Sequence, residues 1–274
     1  MPLRIKILCD NVIFRGEGLL GEHGLSVYIE REGRGILFDT GQGLTIRRNA
    51  RLLGVNLEEI EGVVLSHGHY DHTGGLREVL RKGMRVIAHP GIFSPKYALR
   101  NGKTRYIGIP FSRDAIEGWA GELTLTSEPV EVLPGVFTTG TVPRVTPFEE
   151  PQEDLLLKEG KGFVKDPVED DLSLFAETRD GIVVILGCAH RGVINILTHI
   201  RELTGKGTFL AILGGTHLGF YPEERRGKVV EALKAFDIKR MAVSHCTGTE
   251  GVFLLRERLP AEVLYAPVGF TAEF

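Results

Sequence analysis

Three histidines and an aspartate stand within six residues inside the stretch 63–75, which has the sequence VVLSHGHYDHTGG. His67 and His69 are two residues apart, so in an extended backbone both imidazoles point to the same side. Asp71 and His72 follow where the chain turns, and they can approach the same point from another direction. Neutral imidazole combined with carboxylate suits zinc, manganese or iron. The stretch predicts a metal site, and a solvated polar loop is the alternative.

Three more histidines follow apolar runs in the second half of the chain. They are His190 in ILGCAH, His217 in ILGGTH and His245 in VSHCTG. The first cluster offers four ligands, and one ion rarely uses all four and still leaves a position open for substrate. We therefore expect further ligands at other strand ends, because α/β proteins gather their sites at the carboxyl ends of strands.

The remaining histidines carry weaker signals. His23 and His199 have no strand-end context, so we expect them to be surface or helix residues. His89 precedes Pro90 at a strand end, which fits a pocket residue and a structural residue equally well.

Asp39 ends an apolar strand in ILFDTG. Metal-binding imidazoles usually donate their second N–H group to a carboxylate or carbonyl, which fixes the tautomer. Asp39 is a candidate for that supporting role, and a turn-forming aspartate is the alternative.

Paired strands followed by β-α-β units occur in both halves of the chain and must position these residues. This repeated order of strands and helices favours one domain over 1–274, with two sheets face to face and helices outside. Residues 90–118 mix aromatic, basic and glycine residues, which predicts a flap or partly helical insertion over a pocket, or a surface loop. Its ligand candidates are Lys96, Tyr97, Arg105, Tyr106 and Phe111. Residues 149–171 are acidic and predict an exposed polar excursion.

The bulk composition excludes several classes of protein. The 274 residues are 42% hydrophobic and 25% charged, with a net charge of -3, which argues against binding nucleic acid through bulk electrostatics. No apolar run approaches the length of a membrane span and the N-terminus lacks the pattern of a signal peptide, so we expect a cytoplasmic protein and no membrane partner. Three distant cysteines do not form a disulfide framework.

The HGHYDH motif, preceded by FDTG and followed by the strand-end histidines, resembles the metallo-β-lactamase superfamily. The resemblance implies an α/β fold, an αββα sandwich of two mixed sheets flanked by helices, with a metal site at one edge. The segments GLSVYIE, TGTVPRVTPFE, GCAHRGVINIL, GGTHL and SHCTG resemble a narrower branch. That branch includes dihydropterin-ribofuranosylaminobenzene-phosphate synthases and proteins called metal-dependent hydrolases.

The resemblance implies two divalent ions of zinc, manganese or iron. It assigns His67 and His69 to the first ion, and Asp71, His72 and His245 to the second. It also makes Asp39 the supporting aspartate.

The sequence departs from the family pattern at two places. TTGTVPR stands where many members have a mid-chain histidine, and GCAH stands where many have a bridging aspartate. Our interpretation is that His190 completes the first site. Cys188 or a water or hydroxide would take the bridging position, with a small buried residue as the alternative for Cys188. His217 is interpreted as a pocket residue near the substrate, or else as an additional ligand.

These features predict a binuclear hydrolase that uses a metal-bridging hydroxide on a phosphate ester, phosphodiester or related substrate. Asp71 would orient the hydroxide. Arg144 and Arg191 are candidates for binding a small anionic substrate that is phosphorylated or pterin-like, and surface or salt-bridge roles are the alternative for both. The alternatives are a transferase that condenses dihydropterin pyrophosphate with ribofuranosylaminobenzene phosphate, and a non-catalytic metal-dependent binding protein. The oligomeric state is left open.

Overall fold

Apolar and polar residues alternate along the N-terminal segment, and this segment forms the first strand of a sheet. Leu3, Ile5 and Ile7 are buried, whereas Arg4 between them is exposed. The computed structural model describes residues 2–14 and 16–274.

The described residues form nineteen strands, which are β1 (Leu3–Cys9), β2 (Ser26–Arg31), β3 (Arg34–Phe38), β4 (Gly62–Val64), β5 (Met84–Ala88), β6 (Lys96–Arg100), β7 (Lys103–Tyr106), β8 (Gly121–Leu125), β9 (Glu131–Leu133), β10 (Val136–Thr138), β11 (Leu155–Glu159), β12 (Gly162–Lys165), β13 (Ser173–Glu177), β14 (Ile182–Leu186), β15 (Thr208–Gly214), β16 (Asp237–Ile238), β17 (Arg240–Val243), β18 (Glu262–Tyr265) and β19 (Thr271–Glu273). The α-helices are α1 (Ile46–Leu52), α2 (Tyr70–Thr73), α3 (Leu76–Val79), α4 (Arg113–Ala120), α5 (Val193–Thr204), α6 (Glu223–Leu233) and α7 (Gly248–Arg258). Short 3-10 helices cover Pro90–Phe93, Leu218–Phe220 and His245–Thr247.

Two large mixed sheets divide the strands between the two halves of the chain. The first sheet has the order β19-β1-β2-β3-β4-β5-β8, and β3, β4, β5 and β8 run parallel. The second has the order β18-β17-β15-β14-β13-β10-β9 with β16 beside β15, and β14, β15, β17 and β18 run parallel. Parallel strands need crossover connections, and helices supply most of them here.

The side chains of β14 show how the layers stack. All five residues of this strand are buried, which is typical of a strand covered on both faces. Ile182, Val184 and Leu186 pack with residues of α5, α6 and α7, whereas Val183 and Ile185 pack with residues of the first sheet. A third apolar cluster lies between the other face of the first sheet and helices α1, α3 and α4. The predicted αββα sandwich is therefore confirmed, while the single domain over 1–274 stays a prediction.

The segments 90–118 and 149–171 together build a small third sheet. Its order is β12-β11-β6-β7, and all its neighbouring strands are antiparallel. The segment 90–118 combines a regular hairpin with a 3-10 helix and the start of α4, so it fits the partly helical insertion among our expectations. Lys96 in β6 is only 1% exposed and pairs with Asp166 and Asp170 at 3.0 and 2.7 Å, so its ammonium group is used inside the fold.

The expected exposed excursion over 149–171 is correct for Glu150, Glu153, Glu159 and Glu169 but wrong for four other acidic residues. Glu149, Asp166, Asp170 and Asp171 are all buried, because each carboxylate accepts hydrogen bonds from protein groups. Asp170 also accepts the main-chain N–H of Gly68 at 2.8 Å, which ties the small sheet to the histidine-rich turn. Among the described residues, the helices are too short or too polar to cross a membrane.

Candidate metal centre

The predicted ligands come together where parallel strands of both large sheets end. His67 follows β4, His190 follows β14, His217 follows β15 and His245 follows β17. Seven non-glycine residues in the described chain have positive φ, and four of them lie here: Asp39, Ala189, His217 and His245. Such backbone is costly unless its surroundings enforce it, and it concentrates at functional sites. The turns after the strands therefore aim these side chains at one point.

Three histidines form a first ligand set: His67, His69 and His190. One ligand atom from each lies within 4.8 Å of the others. Nε2 of His67 lies 2.9 Å from Nδ1 of His69, and the His190 ring lies 4.7 Å from the His67 ring. Nε2 of His69 and Nε2 of His190 are buried and have no hydrogen-bond partner within the described chain. Buried polar atoms without partners are rare, and an ion in contact with Nε2 of His190 would remove the cost there.

Asp39 fixes the orientation of two imidazoles. Its Oδ2 accepts hydrogen bonds from Nδ1 of His72 at 2.7 Å and from the hydroxyl of Ser66 at 2.6 Å. The Ser66 oxygen in turn accepts the Nδ1 proton of His67 at 2.8 Å. With both Nδ1 atoms held by these partners, Nε2 of His67 and Nε2 of His72 are the nitrogens left to bind a metal. Sequence reasoning missed Ser66.

A second ligand set contains Asp71, His72 and His245. The Asp71 Oδ2 lies 3.7 Å from Nε2 of His72 and 3.4 Å from Nε2 of His245, and the two nitrogens are 3.2 Å apart. Ligand atoms about 2.0–2.2 Å from a tetrahedral ion are roughly 3.3–3.6 Å from each other. The three atoms therefore fit one divalent ion.

Residues near the N-terminus hold His245 in place. Asn11 Oδ1 lies 2.9 Å from Nδ1 of His245, and Asp10 accepts the main-chain N–H of His245 at 2.8 Å. Donation from Nδ1 to Asn11 leaves the Nε2 lone pair of His245 facing His72. Sequence reasoning missed Asp10 and Asn11, because nothing in the DN pair points to a partner more than 230 residues away in the chain.

Burial and charge act differently on the two sets. Burial lowers the pKa of His67, His69 and His190 well below the usual value, so these imidazoles are neutral and able to bind metal. Burial also acts to lower the pKa of His72, but Asp39 and Asp71 outweigh it and raise that pKa to about 9. For Asp71, burial acts to raise the pKa, and His72 and His245 outweigh it and lower the pKa.

Cys188 lies between the two sets. Its Sγ is 3.2 Å from Nε2 of His72, and it lies within 4.8 Å of ligand atoms of His67, His190 and His245. Cys246 is a second thiol at the same place, which sequence reasoning missed, and its Sγ approaches the carbonyl oxygen of Cys188 at 3.6 Å. Burial raises the pKa of Cys188, so a thiolate there requires a cation nearby.

His217 lies beside the first set and lines the cavity. Its ring centroid is 4.3 Å from that of His190 and 5.0 Å from that of Phe220. Nε2 of His217 donates to Oε1 of Gln152 at 2.7 Å, whereas Nδ1 is buried and finds no partner within the described chain. The Gln152 contact therefore leaves Nδ1 as the acceptor nitrogen, and one ligand atom of His217 lies within 4.8 Å of those of Cys188 and His190, so the expected roles of pocket residue and additional ligand both fit the structure.

A cavity of about 230 Å³ opens over both sets. Its walls include Tyr70, Ile107, Leu155 and Phe220, and two arginines of the third sheet, Arg100 and Arg105. Arg105 also lies over the ring of Tyr70 at 5.4 Å, and Arg100 pairs with Asp154.

The structure does not bring the two predicted anion-binding arginines into this cavity. Arg144 donates to the carbonyl oxygens of His190 and Pro167 at 2.8 and 2.9 Å. Arg191 donates to the carbonyl oxygen of Val142 at 2.8 Å. Their guanidinium groups hold the turn that carries His190, because main-chain carbonyls in these loops would otherwise lack donors.

The other predicted ligand candidates of 90–118 and the remaining histidines have mostly structural contacts. Tyr97 packs edge-on to Tyr106, and Phe111 packs edge-on to Trp119. His89 caps the 3-10 helix after it by accepting the N–H of Gly91 at 3.0 Å.

His199 and His23 differ from each other in the structure. His199 lies in α5 and bonds to the carbonyl oxygen of Thr139 at 3.0 Å, as a helix residue does. His23 is 47% exposed in its side chain, yet its Nε2 lies 3.2 Å from Oδ2 of Asp71. His23 is therefore exposed, as expected, and its contact with Asp71 is a feature that the sequence does not predict.

Two sheets between helical layers, with histidine, cysteine and aspartate side chains gathered at strand ends, define an α/β protein built around a metal site. The family model of the metallo-beta-lactamase superfamily matches residues 20–265. The chain belongs to this superfamily, whose fold implies binding of divalent metal ions.

Relatives of known sequence and structure agree with this assignment. The chain is 30% identical to the 7,8-dihydropterin-6-methyl-4-(beta-D-ribofuranosyl)-aminobenzene-5'-phosphate synthase of Methanocaldococcus jannaschii, over 96% of this chain and 95% of the relative. It is 35% identical to an uncharacterized protein of the same organism, over 92% of this chain and 94% of that one. The crystal structure of Tm1679, a metal-dependent hydrolase of the beta-lactamase superfamily, matches with a TM-score of 0.86 and 29% identity over 99% of both chains. YhfI of Bacillus subtilis shares the fold, with a TM-score of 0.59 and 11% identity over 99% of this chain and 100% of that one.

Proposed function

We propose that the protein is a metal-dependent hydrolase that uses two divalent ions on a phosphate ester or phosphodiester. The observation that carries this proposal is the pair of ligand sets that face one cavity, with Cys188 between them. The ligand groups are imidazole, carboxylate and thiol, and this combination suits zinc. Imidazole and carboxylate without the thiol also suit manganese or iron. Free thiols beside the ligands favour a reducing compartment, so we propose a cytoplasmic location.

The side chains around the ions divide the work. Bound ions would supply Lewis-acid polarisation of a phosphoryl oxygen and a lower pKa for water. His217 lines the cavity and its Nε2 donates to Gln152, so its Nδ1 would be the nitrogen that accepts a proton from the attacking water. The Asp71 carboxylate would hold one ion and orient the attacking water. The hydrogen bond from His217 to Gln152 keeps the accepting nitrogen in place.

Arg100 and Arg105 take the anion-binding role in this proposal, in place of Arg144 and Arg191. Both line the cavity on the strands β6 and β7. A guanidinium group matches two oxygens of a phosphate at once, which favours a small anionic substrate with a phosphate group.

Hydrolysis of bis-p-nitrophenyl phosphate with added zinc or manganese tests the proposal. His69→Ala removes a ligand of the first set, so we expect a loss of at least about 100-fold in rate. His199→Ala is the matched control, because His199 lies in α5 outside both ligand sets and bonds to the Thr139 carbonyl. This variant should retain the wild-type rate. Equal rates for the two variants would overturn the proposal.

A transferase is the second candidate, and two observations favour it. The relative from Methanocaldococcus jannaschii covers nearly the whole chain and is named as a pterin-ribofuranosylaminobenzene-phosphate synthase. A cleft of about 550 Å³ adjoins the cavity, shares Gln152 and Phe220 with it, and adds Phe148 and Pro222. The joined space suits a substrate with a flat ring and a second, distant group.

The two candidates differ in their need for an acceptor. A transferase consumes dihydropterin pyrophosphate only when an arylamine acceptor such as ribofuranosylaminobenzene phosphate is present, whereas a hydrolase consumes its substrate in water alone. Tight binding of the pterin with turnover in neither assay would instead identify a metal-dependent binding protein.

A further inference from the structure

His23 lies outside the HGHYDH motif, on the loop between β1 and β2, and several contacts fix this loop against the site. The buried carboxylate of Glu22 accepts the main-chain N–H groups of Gln42 and Leu44 at 3.1 and 2.8 Å. The Gln42 side chain donates to the carbonyl oxygen of His23 at 2.5 Å. The loop is therefore held on both sides of the His23 side chain.

The residue after His23 packs directly on the segment that carries Asp71. Gly24 has φ of +152°, and a Cβ atom there would lie 2.4 Å from the carbonyl oxygen of Asp71, so no larger residue fits without a shift. The N–H of Leu25 donates to the same carbonyl at 3.2 Å. Asn11 links the His23 loop to His245, because its Oδ1 accepts the N–H of Gly24 at 3.1 Å and lies 2.9 Å from Nδ1 of His245.

These contacts place the imidazole of His23 beside two members of the second ligand set. Its Nε2 lies 3.2 Å from Oδ2 of Asp71, and its ring centroid lies 5.4 Å from that of His245. One ligand atom each from His23, Asp71 and His245 lies within 4.8 Å of the others. The side chain of His23 is 47% exposed and that of Asp71 is 11% exposed, so His23 stands at the mouth of the cavity.

We propose that His23 is an additional ligand of the second ion and covers that ion on the side of the cavity mouth. This inference rests on the proposed two-ion site. With Asp71, His72 and His245, His23 would give the second ion four imidazole and carboxylate ligands, whereas the first ion would have three histidines, and a Cys188 thiolate between the sets would be shared by both ions. The ion with fewer protein ligands is the one that admits substrate. His23 is the most exposed of the four, so it is the ligand that an entering anion displaces.

Nuclear magnetic resonance of protein labelled with ¹⁵N-histidine, titrated with zinc, tests this directly. The spectrum of His23→Gln assigns the His23 signals by their absence. We expect Nε2 of His23 to lose its proton and take the chemical shift of a zinc-bound nitrogen as the second equivalent of zinc is added. His199, bonded to the Thr139 carbonyl, provides the control signal that zinc should leave unchanged.

Zinc affinity measured by competition with a chelator gives an independent measurement. His23→Ala should weaken binding of the second equivalent by about 10-fold or more and leave the first unchanged. His199→Ala should change neither affinity.

The outcomes separate this inference from the proposed function. If two zinc ions bind and Nε2 of His23 stays protonated, the residue only donates a hydrogen bond to Asp71, and the inference alone is overturned. If one zinc ion binds per chain, both the His23 inference and the two-ion hydrolase are overturned.

Discussion

Hydrogen bonds to Asp39 determine which nitrogen atoms the histidines present. One carboxylate oxygen accepts from both His72 and Ser66, and Ser66 accepts from His67. Asp39 itself has positive φ, which an aspartate adopts more readily than most residues. A single turn residue directly after β3 therefore supports a ligand of each set.

Cys188 should be a thiolate ligand, and Co²⁺ substitution provides a test. A sulfur ligand gives a charge-transfer absorption band in the near ultraviolet, which imidazole and carboxylate do not give. Because Sγ of Cys188 lies 3.2 Å from Nε2 of His72, we expect this band in the wild-type protein. In Cys188→Ser the band should disappear. If Cys246 is also a ligand, the band should instead fall by at least about half.

Cys9→Ser is the matched control for this prediction. Cys9 is also a buried free thiol, but its Sγ lies 3.4 Å from the Thr45 hydroxyl on the helical side of the first sheet. The band should be unchanged in this variant. An equal band in Cys188→Ser and in the wild type would show that Cys188 is only a small buried residue.

The sequence predicts the strand-end ligands better than their partners. His67, His69, Asp71 and His72 share one local motif, and each later histidine follows an apolar strand, so pattern alone brings them to one place. His23 follows no strand and meets Asp71 only through the packing of a loop. Contacts between residues far apart in sequence leave no local period, and such residues are visible only in the fold.

At the scale of elements, the third sheet was the least predictable part. All four residues of β7 and all four of β12 are exposed, so neither strand shows the alternation of apolar and polar residues that identifies a strand. The buried group that fixes the sheet is Lys96, whose partners Asp166 and Asp170 belong to a segment that looks solvated by composition. Arg100 and Arg105 reach the cavity only because this sheet forms.

Helix α5 has an unusual partner at its N-terminus, and this predicts a pH dependence of stability. The buried Glu149 accepts the N–H groups of Ile194 and Asn195 at 3.0 and 2.9 Å. Burial raises the pKa of Glu149 to about 7, above its ordinary value of 4.5, although these hydrogen bonds oppose the shift. Between these two pH values the folded protein holds a proton that the unfolded chain releases. The stabilisation is therefore full below about pH 4.5 and is lost as pH rises to about 7.

Urea unfolding of the zinc-loaded protein at pH 5 and at pH 8 measures this effect. The free energy of unfolding of the wild type, relative to Glu149→Gln, should fall by about 2 kcal/mol between these values, since one pKa unit corresponds to about 1.4 kcal/mol. Contributions of the histidine ligands cancel in this difference. Glu150→Gln changes the exposed neighbouring residue, so its free energy of unfolding should change with pH as that of the wild type does. If the wild type and Glu149→Gln differ in free energy of unfolding by the same amount at pH 5 and at pH 8, the prediction is contradicted.

At the scale of the whole molecule, both halves of the chain are joined at the ligand sets. The first set takes His67 and His69 from the first sheet's turn and His190 from the second sheet's. The second set joins Asp71 and His72 to His245 in the same way. The apolar core between the sheets also joins them, so metal binding should add to an existing interface rather than create it.

Removal of metal should therefore lower the stability of the whole fold in one cooperative transition. Without ions, Nε2 of His72 and Nε2 of His245 lie only 3.2 Å apart beside Asp71, and buried nitrogens of His69 and His190 have no partner in the described chain. An ion present at 100 times its Kd stabilises by about 2.7 kcal/mol, and each kcal/mol shifts Tm by about 2–4 °C in a protein of this size. We expect EDTA to lower Tm by about 5–10 °C or more, measured by circular dichroism, with zinc restoring it.

In His69→Ala the shift should be smaller because the first set is incomplete, whereas His199→Ala should show the full shift. Melting curves that coincide with and without EDTA would mean that the two halves are held by the apolar core alone.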